Sequence, residues 1–322
     1  MKKEKTFIIG HKNPYTDSIC SSIAYADIKS RTSKGSFVAR RAGQINEETE
    51  FVLKYFHMDA PAYLPDVGTQ VKDMDIHMTP GAEKSMSVKR AWNLMREHNA
   101  VTLPITDKEG MLEGIITTGD IATSYMDAYD STLLSEARTQ YRSIADTLDG
   151  QVLVGNEHGY FIKGKVLVGS AHPDMMESYI ESDDMVILAN RAEDQLCAIE
   201  NNASCLIICL GAKVSQTIQR LAAERVIITT PYDTFTVARL IYQSIPVKYF
   251  MKKDNLITFR SDDFTDKVKE VMTKNRYRAF PVVDKRGKYI GTVSRRNLLN
   301  IKKKKLILVD HNEKSQAVDN ID

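Results

Sequence analysis

The sequence lacks any long apolar run: none of its 322 residues belong to a stretch approaching the roughly 20 apolar positions that cross a bilayer. The polar start Met1-Lys2-Lys3-Glu4-Lys5 has no apolar signal segment behind it, so no membrane partner is expected and the localisation to expect is cytoplasmic. Strong charge of either sign is missing too. A net charge of +2 argues against a nucleic-acid partner, and the run Lys302 to Lys305 reads as a solvated linker. Cysteine is scarce. Cys20, Cys197, Cys205 and Cys209 show no Cys-x-x-Cys spacing, and the last two lie in the apolar run Cys205 to Leu210, which points to reduced, mostly core thiols. What is present, 43% hydrophobic and 27% charged residues, describes a globular chain of about two or more domains that can bury a core.

An apolar strand, Thr6 to Ile9, runs into Gly10-His11-Lys12-Asn13-Pro14-Tyr15-Thr16-Asp17-Ser18, and the apolar period that follows predicts a helix from Ser18 to Arg31. The loop therefore sits at a strand's carboxyl end, where open α/β sheets bind ligands. His11 and Asp17 offer the imidazole nitrogen and carboxylate oxygen that suit a hard divalent cation, which the neutral phenol of Tyr15 suits poorly. The plainer alternative is that His11 satisfies a turn and Asp17-Ser18 caps the helix. Near the other end, Leu306 to Val309 reads as a buried strand followed by Asp310-His311-Asn312-Glu313.

Together these segments resemble the signatures of the DHH phosphoesterases, specifically the family II, manganese-dependent inorganic pyrophosphatases, whose first pattern is G-H-x-N-P-D-T-D-S. The resemblance implies an α/β, Rossmann-like DHH lobe, manganese or cobalt held by His11, Asp17 and Asp310, a catalytic role for His311, and pyrophosphate as substrate of a completed site. Tyr15 stands where the pattern has its first aspartate. Family members continue past the second signature with a strand ending in Asp-His-His and a C-terminal domain whose Arg and Lys residues hold pyrophosphate, whereas this sequence stops at Asp322 and its seven histidines include no adjacent pair. A two-metal phosphoryl transfer needs both ions and cationic groups around the developing charge. The expectation is a truncated, N-terminal part of such an enzyme, inactive alone.

Between the two signatures lies an insertion too long for a loop, and it contains a repeat. Val71 to Ser124 aligns with Val247 to Ile301, over most of its length at an offset of 177: Met95 on Met272, Pro104 on Pro281, Gly110 on Gly287, Thr117 on Ser294, Asp120 on Asn297. Each copy reads as a helix, a strand ending in Pro-hydrophobic-x-Asp, a glycine turn, a strand and a second helix. Val88, Ala91, Trp92 and Met95 form the apolar stripe of the first copy, and Phe264, Val268, Val271 and Met272 that of the second. The segments Gly114 to Asp120 and Gly291 to Asn297 are similar to the G-h-h-[ST]-x-x-D pattern of CBS domains, pairs of which bind adenine nucleotides. The resemblance implies AMP, ADP or ATP as regulatory ligand. A carboxylate at a strand-to-helix turn can accept ribose hydroxyls, and the helix start can face phosphate.

Only the second copy brings cations and an aromatic plane, since Arg276, Tyr277, Arg278, Arg295 and Arg296 replace Asn99, Ala100, Val101, Thr118 and Gly119. The nucleotide-binding set expected from this is Thr117, Asp120, Arg276, Tyr277, Ser294, Arg295 and Asn297. Arg295 and Arg276 would take phosphate, Tyr277 or the flanking apolar strand the base, and Asp120 or Asn297 the ribose; alternatively the arginines form an exposed face. The middle of the insertion alternates apolar runs (152 to 154, 166 to 168, 185 to 188, 205 to 210, 226 to 228) with helical stretches, and resembles the DRTGG domain with its own motif degenerate. That implies a structural, dimer-forming spacer.

The resulting expectation is a Rossmann-like DHH lobe interrupted by a CBS pair and an α/β DRTGG domain. The divisions are residues 1–65 for the first part of the lobe, 66–130 for the first CBS domain, 131–245 for DRTGG, 246–304 for the second CBS domain, and 305–322 for the second part of the lobe. Two functions remain open: the N-terminal part of a nucleotide-regulated inorganic pyrophosphatase, a homodimer through its CBS and DRTGG region, or a catalytically dead adenine-nucleotide-binding protein.

Overall fold

The computed structural model describes residues 5–11, 13–64, 68–126, 130–299, 301 and 305–309. The chain divides into two compact units, one of Met1–Ile76, Phe259–Tyr277 and Val293–Asp322, the other of His77–Thr258 and Arg278–Thr292.

In the first unit, the strand Lys5–Ile9 lies at the centre of a parallel sheet, between Lys305–Leu308 on one side and Ser36–Arg41 on the other. The short strand Ala62–Tyr63 follows at the edge beyond Ser36–Arg41, also parallel. Ile8 and Ile9 are fully buried. The helix Thr16–Thr32 begins two residues before the predicted start, with Asp17 in its first turn and Lys29 and Arg31 in its last, each on the favourable end of the helix dipole. Gly10 makes the close strand-to-helix passage possible, because a Cβ there would overlap the Ser18 hydroxyl.

The second unit contains a five-stranded sheet in the order Gln151–Val154, Val226–Thr229, Cys205–Ile208, Met185–Leu188, Val166–Val168. The last four are parallel and the first is antiparallel to its neighbour. The three inner strands of these four are nearly all apolar because both of their faces are covered. Met185, Ile187, Cys205, Ile207 and Ile228 pack on one face with Phe161 and the segments that carry Ile144, Val237 and Ile241. Val186, Leu188, Leu206, Ile208 and Ile227 pack on the other face with Met176, Ala198 and Ile218. This alternation is the pleat of a strand read residue by residue.

Cys205 and Cys209 lie in the first of these cores and are free thiols. Burial, with a smaller contribution from Asp233, pushes the Cys209 thiol up to about 12, and burial pushes Cys205 up as well. Both should resist alkylation by iodoacetamide in the native state near pH 8 and react once the chain is unfolded, a mass-spectrometric test. A folded-state value raised above the ordinary 9.0 means that the stability tied to the neutral Cys209 thiol is fully present below pH 9.0 and is lost as pH rises towards about 12.

The two copies of the repeat are joined reciprocally. In the second unit Val88 N–H donates to Ile245 O and Val247 N–H to Met86 O; in the first unit Thr265 N–H donates to Thr69 O and Val71 N–H to Asp263 O. The segment leading into each copy thus bonds to the start of the other copy's helix. Ile115 exchanges both backbone bonds with Lys252, as Thr292 does with His77. Met111 bridges Lys288, its own counterpart at the 177 offset. Gly110 and Gly287 flank that point with φ of +84° and +86°, a left-handed conformation that favours glycine.

Candidate functional site

The pattern shared by the two copies folds into the same hydrogen-bonded turn twice. In the first copy, the strand Leu112–Thr117 passes directly into the helix Thr118–Met126. The Asp120 carboxylate accepts from Thr117 N–H at 2.8 Å and from Thr117 Oγ1 at 2.7 Å, while Asp120 N–H donates to Thr117 Oγ1 at 3.2 Å. In the second copy, the strand Tyr289–Ser294 passes into Arg295–Leu299, and the Asn297 amide oxygen accepts from Ser294 N–H and Ser294 Oγ, both at 2.7 Å. The three-residue spacing alone sets this geometry, since a short polar side chain can reach back to the backbone of the residue that opens its turn.

The outer atoms of the two turns differ. The second oxygen of Asp120 lies 3.5 Å from Lys252 Nζ. Asn297 Nδ2 donates to Asp75 O at 2.7 Å. Lys252 and Asp75 were not among the residues expected from sequence, and only the pairing of lead-in segments with the other copy brings each to its turn.

The cations of the second copy are placed as follows. Arg276 is exposed and Tyr277 half-buried. Arg295 directs its guanidinium to backbone carbonyls, donating to Tyr277 O at 2.9 Å and also to Met272 O and Asn275 O. Met272 lies near the end of the helix Thr265–Lys274, so Arg295 satisfies carbonyls that a helix terminus leaves without intrahelical partners. In this arrangement those donors are spent on the backbone, a partner the sequence did not suggest.

At the other candidate site, His11 and Tyr15 rings lie 5.6 Å apart by centroid. Tyr15 is 65% exposed, whereas Ser18 is buried and its hydroxyl has no hydrogen-bond partner among the described residues. Val309 N–H donates to Ile9 O at 2.9 Å, so the strand preceding the second signature runs beside the one that leads to His11. Asp310 and His311 lie outside the described residues. Among the described residues no group of three or more His, Cys, Asp or Glu side chains could hold a metal ion; His11 and Asp17 supply two donors, short of what an ion requires. No described helix is long and apolar enough to cross a membrane.

Both turns fall within segments similar to a known domain. The model of the CBS domain matches residues 74–127 and 247–304, and that of the DRTGG domain residues 143–244. The chain is 38% identical over 318 residues to a cobalt-dependent inorganic pyrophosphatase of Clostridium perfringens (strain 13 / Type A), an alignment covering 98% of this chain and 58% of that protein. It is 31% identical to a probable manganese-dependent inorganic pyrophosphatase of Thermotoga maritima, over 99% of this chain and 58% of that protein. It therefore spans little more than half the length of these relatives. Among solved structures, it is similar to the CBS and DRTGG domains of the regulatory region of Clostridium perfringens pyrophosphatase, complexed with the activator diadenosine tetraphosphate. The TM-score is 0.67 at 36% identity, covering 70% of this chain and 100% of that one.

Proposed function

We propose, from the premise that this chain belongs with the manganese- and cobalt-dependent inorganic pyrophosphatases and carries two CBS domains around a DRTGG domain, that it senses adenine nucleotides on behalf of pyrophosphate hydrolysis. The observation that carries this reading is the equivalent turn at Thr117–Asp120 and Ser294–Asn297, one in each copy of the repeat. Asp120 accepts the ribose hydroxyls of the nucleotide in the first copy and Asn297 does so in the second. Tyr277 offers a face to the base, and the exposed Arg276 offers charge to phosphate. Calorimetry with AMP, ADP and diadenosine tetraphosphate tests it. Each should bind, and GMP should bind more weakly; if none of the adenine ligands binds at millimolar concentration, the reading fails.

The domain limits that accompany the proposal are those read from sequence, 1–65, 66–130, 131–245, 246–304 and 305–322. Assembly as a cytoplasmic homodimer is part of it. The helices Val88–Glu97 and Thr118–Met126 support self-association, since they leave Trp92 41% and Tyr125 46% exposed, although Trp92 belongs to the stripe expected to be buried.

The metal ligands proposed for the catalytic lobe are His11, Asp17 and Asp310, and the catalytic role proposed goes to His311. Manganese or cobalt bound there would polarise a phosphoryl oxygen and activate water. Tyr15 favours a second reading, a lobe that has lost hydrolysis and retains sensing, because its phenol puts a neutral group where the family pattern has a carboxylate. Tyr15→Asp should tighten manganese binding by about tenfold or more, as expected when a charged oxygen ligand is added to a hard-cation site. Equal titrations of the two forms by calorimetry would remove position 15 from the metal site.

A further inference from the structure

The second unit holds a crevice that neither the CBS turns nor the metal loop uses. Its four parallel strands follow one another across the sheet, and the helices Pro173–Met176, Ala192–Glu200 and Gln216–Leu221 all pack on one face. After Val226–Thr229 the chain turns instead to the opposite face, where Val237 of the helix Thr234–Leu240 is buried. The connections leaving the adjacent strands Cys205–Ile208 and Val226–Thr229 therefore part in opposite directions. In open α/β sheets such a divergence opens a crevice at the carboxyl ends of the strands, and ligands bind there.

A cavity of about 560 Å³ occupies this position, walled by Gly211 to Val214 on one side and Thr229 to Pro231 on the other. Its walls are held before any ligand arrives. Leu210 N–H donates to Tyr232 O and Gly211 N–H to Thr230 O, both at 2.8 Å, and Thr230 Oγ1 donates to Leu148 O at 2.6 Å. Leu210 and Gly211 are both left-handed, with φ of +63° and +61°. A Cβ at Gly211 would meet no atom within 4 Å, so the residue is set by its backbone conformation and borders open space.

The cavity lining carries one carboxylate, Asp149, and one cation, Lys213. Asp149 on the rim already accepts the Tyr232 hydroxyl and lies 3.5 Å from Lys89 Nζ. Lys213 is exposed and has neither an ion pair nor a hydrogen bond among the described residues. The backbone N–H groups of Lys213 and Val214 also make no hydrogen bond there. An ammonium and two amide donors without partners among the described residues, all on residues that line one preformed crevice, match a compact oxyanion better than a neutral or cationic group.

We propose that this crevice of the DRTGG domain is a second ligand site, binding a small molecule that carries a phosphate group, with Lys213 and the Lys213 and Val214 amides meeting the phosphate. The proposal stands on the second unit alone and is independent of nucleotide binding at the CBS turns. The test is an amide-resolved nuclear magnetic resonance titration of the full 15N-labelled chain with inorganic phosphate and with glycerol 3-phosphate, at constant ionic strength. Saturable shifts of the Gly211 to Val214 amides are expected. They should weaken at least tenfold in Lys213→Glu and persist in Lys213→Arg, both exposed changes whose folding is checked by an unchanged melting temperature. Shifts that are absent from these amides, that survive Lys213→Glu undiminished, or that fall only at Thr117 to Asp120 and Ser294 to Asn297 would overturn the proposal.

Discussion

Phe161→Ala is expected to lower the stability of the second unit by about 3–5 kcal/mol, the range for truncating a fully buried phenylalanine. Phe161 is 1% exposed and packs in the cluster that joins Ile144, Cys205, Ile207, Val237 and Ile241. The same cluster includes Ile245, whose carbonyl accepts from Val88 N–H at the start of the first repeat's helix. Loss of the core should therefore loosen the first copy as well. Urea unfolding followed by far-ultraviolet circular dichroism measures the first effect, and hydrogen exchange at Val88 to Met95 the second. A change below about 1 kcal/mol would show that the site collapses around the smaller side chain.

Asp120→Ala should have the second largest effect, through two separable losses. Without the carboxylate, Thr117 N–H and Oγ1 lose their acceptor, at a cost of about 0.5–2 kcal/mol, as for loss of a helix cap. Removal of the proposed ribose acceptor then acts only when nucleotide is present. At a hundredfold excess over Kd a ligand stabilises the folded state by about 2.7 kcal/mol, and a hundredfold loss of affinity would cut this to about 0.4 kcal/mol. Melting curves with and without AMP separate the two, because the first loss appears in both and the second only with ligand. Asn297→Ala breaks the equivalent turn and reports whether the two copies bind alike. An AMP-induced shift as large in Asp120→Ala as in the parent would remove Asp120 from the site.

Arg295 illustrates how a residue singled out from sequence meets partners that no motif names. Its place in the second copy, opposite Thr118 of the first, marks it as a point where the repeat becomes asymmetric. The sequence reading assigned it to phosphate. In the structure its guanidinium meets Tyr277 O, Met272 O and Asn275 O. A long side chain with five donors goes to whichever acceptors packing brings near, and helix-end carbonyls about twenty residues earlier in the chain cannot be read from a motif.

The elements legible in the sequence are those whose causes are local. The turns at Thr117 and Ser294 follow from polar side chains three residues apart. The glycine turns at Gly110 and Gly287 follow from the need for a left-handed residue after Pro-hydrophobic-x-Asp, and the strands at 166 to 168 and 185 to 188 follow from short apolar runs, the second covered on both faces. The 177-residue offset exposed the repeat without any knowledge of how its copies meet. Tertiary structure alone decided the rest. It exchanged the lead-in segments, which put Lys252 against Asp120 and Asp75 against Asn297, and it left Trp92 of the expected stripe partly exposed. It also sent successive connections to opposite faces of the five-stranded sheet, opening the crevice beside Lys213. Each of these depends on contacts between residues far apart in sequence, which periodicity and spacing do not encode because they record only what a residue demands of its near neighbours along the chain.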